Sequence, residues 1–186
     1  LALRALFRTP FVTGVAVLSL GLGIGANAAI FSLFNQMILR PLPVPEPGQL
    51  VNLSAPGPMS GSTSCGNAGS CQVIFSYPMF RDLEEKQTSF TGIAGHRNFG
   101  ANLAYKGQTL KGDGLLVSGS YFQVLGLTPV LGKLIDRNDD RAPGQSQVVV
   151  LSHRYWRARF EASPAVLNET LIINGQPMVI IGVAPE

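Results

Sequence analysis

Charge is what this sequence has least of: Asp, Glu, Lys and Arg together make up 13% of 186 residues, about half the share in an ordinary soluble domain. The deficit sits in one place. No charged side chain falls between Arg8 and Arg40, while the remainder has the mixture of a soluble protein. Cysteine is scarce too, with only Cys65 and Cys71. Two thiols with no further cysteine, and with His96 and His153 far off in sequence, do not make a zinc site. The basic residues are scattered, without a stripe of interleaved aromatics, so nucleic acid is not an expected partner. Arg154, Arg157 and Arg159 around Trp156 come nearest to such a patch and read as a solvated helix face.

Chemistry-bearing patterns are missing as well. No G-x-x-x-x-G-K-[ST] cradles ATP phosphates. No G-x-S-x-G elbow surrounds Ser152, and His153 cannot face it from the next position of a helix start. Asp136, Asp139 and Asp140 form an acidic turn without the glycine and spaced glutamate of a calcium loop. The expectation is a chain that is not an enzyme, with no catalytic residues and no cofactor or metal site.

What is present is the uncharged run itself. Residues 11–39 exceed the roughly 20 apolar residues needed to cross a bilayer core, so a single transmembrane helix is expected. A cleaved signal peptide has an apolar region of only about 7–15 residues, which this run outgrows. Arg4 and Arg8 precede the span with no acid nearby, whereas Arg40 and Glu46 after it nearly cancel. That asymmetry expects a cytoplasmic N-terminus and an extracytoplasmic remainder. Residues 1–10 then form an interfacial lead-in, with Pro10 suited to a first helical turn. Gly14, Leu18, Gly21, Gly25, Ala28, Ser32 and Asn35 recur at spacings of four and three, along one seam. Its small members (Gly14, Gly21, Gly25, Ala28 and Ser32) suit close packing against another helix, with Gly21 and Gly25 forming G-x-x-x-G. Gly21, Gly23 and Ala26 also match a dinucleotide fingerprint, but that motif needs a strand before it and a βαβ unit around it.

Prolines at 41, 43, 45 and 47 make residues 40–49 an extended, stiff connector. The domain expected over 50–186 is mixed α+β. A strand over 50–53 precedes a Gly/Ser/Pro-rich loop over 54–70. Cys65 and Cys71 face each other across G-N-A-G-S; a disulfide and two free thiols are both compatible with that spacing, and an oxidising compartment would keep a bridge. Ser76 caps a helix carrying Tyr77, Phe80, Leu83 and Glu84. Extended runs over 93–103 and 110–117 flank a Lys106-Gly107 turn, and a short helix over 120–125 ends at Gly126. Residues 147–151 read as a buried strand, after which Ser152 caps an amphipathic helix with Tyr155, Trp156 and Phe160. Asn174-Gly175 joins 170–173 to 177–183 in a hairpin.

These blocks carry a resemblance. RTPFVTGVAVLSLGLGIGANAAIFSLFNQMILRPLPVPEPGQLV, FSYPMFRDLEEKQTSFTGIAG, VSGSYFQVLGLTPVLGKLI with Asp139-Asp140, VVVLSHRYWRARF and LIINGQPMVIIGVAPE together resemble the MacB-like periplasmic core domain. They also resemble the first transmembrane helix of FtsX-like ABC transporter permeases, over nearly the whole chain. The resemblance implies a permease subunit in the bacterial inner membrane, here an incomplete one, whose periplasmic domain transmits ATP-driven movement for export or efflux. It implies as partners the lipid bilayer, a permease dimer partner, a separate cytoplasmic ABC ATPase and a candidate periplasmic adaptor. The alternative expectation is a self-standing, membrane-anchored binding or scaffolding module.

Overall fold

A computed structural model describes residues 10–35, 42–55, 74–140, 144 and 146–186. The chain divides into two units, Leu1–Pro43 and Val44–Glu186.

Within the first unit, helix α1 spans Pro10–Phe34 and opens on the proline expected there. A helix of 25 residues is about 37 Å long at 1.5 Å per residue, enough for a hydrocarbon core of about 30 Å. It is apolar all round and no residue of it is buried. In water such a surface would be untenable; in lipid it is the required one. The expected span ran to residue 39, and residues 36–39 lie outside the described set.

The second unit is built on one six-stranded sheet. Its elements are α2 (Tyr77–Lys86), β1 (His96–Tyr105), β2 (Gln108–Val117), α3 (Tyr121–Val124), β3 (Leu131–Gly132), β4 (Val148–Leu151), α4 (His153–Phe160), β5 (Thr170–Ile173) and β6 (Gln176–Val183). The strands run β2-β1-β5-β6-β3, and β4 pairs with β6 in parallel. Two hairpins rest on the same local chemistry. Lys106 and Gly107 at φ 48 and 80, and Asn174 and Gly175 at φ 49 and 83, are the paired left-handed residues of type I′ turns, whose twist matches that of the strands.

Helix starts follow the caps read from the sequence. Ser76 Oγ accepts from Met79 N–H and Ser152 Oγ from Tyr155 N–H, each satisfying a first-turn donor that has no partner inside its helix. Gly126 takes φ +65 after α3, as a helix-ending glycine does. The core lies between α4 and the sheet: Leu103, Leu151, Trp156, Val166, Leu171, Ile180 and Val183 are buried together. Trp156 Nε1–H donates to Ser163 O at 2.8 Å, so the indole is buried without stranding its donor.

One expected element does not form. Residues 50–53 are extended but belong to no ladder, and Val51 is 62% exposed. Leu50 ends a 3-10 turn over Pro47–Gln49, and among the described residues no strand stands beside the segment to receive its hydrogen bonds; an extended run alone is not a strand.

Candidate functional site

The seam predicted on the apolar helix falls on a continuous stretch of α1. At about 100° per residue, Gly14, Gly21, Gly25, Ala28 and Ser32 occupy one narrow arc of it. A Cβ built on Gly14, Gly21 or Gly25 would meet nothing within 4 Å. Among the described residues the glycines therefore serve no packing, and their backbone is open to approach. Cys65 and Cys71 lie outside the described residues.

The acidic turn is consumed by the fold. Asp136 Oδ1 accepts from Asn138 N–H at 2.7 Å, and Asp139 accepts from Asp136 N–H while pairing with Lys133 at 2.9 Å. Asp140 Oδ2 accepts from Gly119 N–H at 2.9 Å. The carboxylates stitch this turn to the segment after β2, and among the described residues no group of acids, histidines or cysteines converges as a metal site. Ser152 is spent as a helix cap, and the His153 ring stacks near Trp156 at 5.9 Å. Arg154, Arg157 and Arg159 are exposed on α4.

Two arrangements were not foreseen. Ser118 and Ser120, both buried, form a directed relay. Ser120 Oγ–H donates to Ile93 O at 2.7 Å, so it can only accept from Ser118 Oγ at 3.0 Å, and Ser118 Oγ in turn accepts from Gly95 N–H. Every polar atom is satisfied, which is what buried hydroxyls require. The other is the β1–β2 ribbon. Gly112 and Gly114 leave two consecutive core-facing positions of β2 without side chains, after Leu110. The ring of Phe99 lies directly over Gly114, and Leu103 and Tyr155 lie over Gly112, where an added Cβ would come within 2.9 Å of Leu103 Cδ1. The Tyr155 hydroxyl, buried there, has no hydrogen-bond partner among the described residues, and burial raises its pKa above the ordinary tyrosine value. The sequence signal was K-G-D-G inside a strand, since glycine in a strand marks close approach.

An apolar helix followed by this α/β sheet can be compared with known proteins. The family described as MacB-like periplasmic core domain matches residues 13–186. The chain belongs to this family.

Relatives of this MacB-like domain are consistent in kind. Over 70 residues it is 37% identical to the macrolide export ATP-binding/permease protein MacB of Shigella dysenteriae serotype 1 (strain Sd197), covering 38% of this chain and 10% of that protein. The chain thus spans about a tenth of the curated relative. The crystal structure of the periplasmic region of MacB from Actinobacillus actinomycetemcomitans superposes with a TM-score of 0.57 at 21% identity, covering 76% of this chain and 64% of that one. The extracellular domain of the ABC-type transporter YknZ from Gram-positive bacteria gives a TM-score of 0.51 at 17% identity, covering 60% and 58%. At such identities the two structures establish the fold: the second unit is built like a MacB periplasmic domain.

Proposed function

We propose that the chain is the first membrane helix and part of the periplasmic domain of a MacB/FtsX-type ABC transporter permease, and that the domain passes ATP-driven movement outward for export or efflux. The observation that carries this reading is the family match running through both α1 and the sheet domain, from residue 13 to residue 186. One family unit contains a membrane-length helix and an extracytoplasmic fold, joined by the prolines at 41, 43, 45 and 47. A stiff connector passes displacement where a slack one absorbs it. In this reading the N-terminus is cytoplasmic, the sheet domain is periplasmic, and the seam of α1 faces another membrane helix. A second permease copy, a separate cytoplasmic ABC ATPase and a periplasmic adaptor complete the machine. The chain itself has the part of a transducer, with no catalytic role.

The test is mechanical. In the full-length permease, flexible Gly/Ser residues inserted between Arg40 and Pro47 are expected to abolish most of the transport-linked phenotype while ATPase association with the membrane is unchanged. Undiminished transport with a slack connector would overturn the reading and favour a passive anchor.

A further inference from the structure

Strand β2 ends the sheet, and among the described residues nothing pairs with its outer edge. The direction of its free groups follows from the neighbouring strand. Asn102 N–H donates to Asn174 Oδ1 and Asn102 O accepts from Asn174 N–H, both at 2.8 Å, so the backbone of Asn102 faces β5. Lys111 stands opposite Asn102 and must therefore turn its own N–H and C=O away from β1, toward the open edge. With period two, Thr109, Asp113 and Leu115 do the same. A ten-residue edge strand with these groups free is a template for another strand unless something blunts it.

A lysine in the middle of an edge is the usual blunting device, because it repels or strands its charge in most pairings. Here its effect depends on register. Pairing β2 with a second copy of itself, antiparallel about a two-fold axis at Gly112, sets Lys111 opposite Asp113 of the other copy, and Asp113 opposite Lys111. Thr109 then faces Leu115, which is 41% exposed in the single copy. Axes one residue away, at Lys111 or Asp113, set like charges against each other. The axis at Gly112 also meets the hydrogen-bond requirement, since Thr109, Lys111, Asp113 and Leu115 are the residues whose backbone points outward. Lys111 and Asp113 are both exposed, and among the described residues neither has an ion pair. A two-fold interface is one patch meeting itself, so self-complementary charge is its signature.

We infer that the β2 edge is where two copies of this chain join, as a continuous sheet across a two-fold axis at Gly112 fixed by paired Lys111–Asp113 contacts. The inference rests on the permease dimer of the proposed function and names its extracytoplasmic contact.

The test uses the full-length permease in membranes, in a cysteine-free background. Differently tagged copies bearing Lys111→Cys and Asp113→Cys are expected to form a mixed disulfide on mild oxidation. Lys111→Asp alone and Asp113→Lys alone each set like charges opposite one another twice, and should weaken self-association about tenfold. The Lys111→Asp/Asp113→Lys double swap, which restores both pairs, should return it to within about twofold of the native value. A dimer that persists without the mixed disulfide and ignores both reversals would overturn this interface and leave the dimer reading standing. Cross-linking of Lys111→Cys to another segment of the permease would overturn it too, by showing the edge already filled. A monomeric native permease would remove the dimer and this contact together.

Discussion

At the scale of single residues, the Ser118–Ser120 relay decides how the segment before β1 is held. Ile93 O and Gly95 N–H end in two buried hydroxyls. Ser120→Ala removes the only donor to Ile93 O among the described residues and the acceptor of the Ser118 proton, so destabilisation of about 1–3 kcal/mol is expected. Denaturant unfolding of the chain, followed by Trp156 fluorescence, measures it; a change below about 0.5 kcal/mol would mean that the relay is dispensable. Asn174 does comparable work in the open. Its backbone N–H and side-chain Oδ1 engage Asn102, and its Nδ2–H donates to Gly100 O at 3.1 Å. One amide side chain thus continues the β5–β1 ladder past the last residue of β5. Aspartate, with no donor to offer Gly100 O, could not.

At the scale of elements, α1 carries the sharpest expectation. A Cβ at Gly21 or Gly25 would meet nothing among the described residues, and close backbone approach is what small residues permit between membrane helices. Gly21→Leu and Gly25→Leu are therefore expected to reduce cross-linking of α1 to neighbouring helices several-fold, with insertion of the helix unaffected; equal cross-linking in both variants would return the glycines to ordinary membrane composition. The elements legible in the sequence were those written in short-range code. Ser76, Ser152 and Gly126 mark helix ends by hydrogen bonds or backbone angles within a few residues, and Asn174-Gly175 and Lys106-Gly107 mark hairpins in the same way. What was not legible depends on distant partners. The segment 50–53 looks like a strand until one asks which strand receives it. The two-residue β3 exists because Leu131 and Gly132 meet Val183 and Gly182, a crossing so tight that a Cβ on Gly132 would collide with Ile181 O. The Ser118–Ser120 relay is invisible for the same reason: its partners lie more than twenty residues upstream.

At the scale of the whole molecule, the surplus positive charge is not spread evenly. From Val44 onward basic and acidic residues are equal in number, so the formal +3 resides in Arg4, Arg8 and Arg40 beside the apolar run. In the proposed orientation, Arg4 and Arg8 beside the span are the charges that keep its N-terminal side at the cytoplasm. A reporter active only outside the cytoplasm, fused after Arg40, is accordingly expected to be active, and silence there with activity of a cytoplasmic reporter would reverse the orientation. Strand β6 adds a consequence in time. It pairs with β3, β4 and β5, yet it is the last of the six strands to be synthesised. Until residues 176–183 arrive, β3 and β4 have no strand to pair with, and only β1, β2 and β5 can begin to assemble, the local β1–β2 hairpin first. In the proposed orientation, a translocation channel handles a chain that has not yet locked, and the sheet snaps shut only after its own keystone has been threaded through.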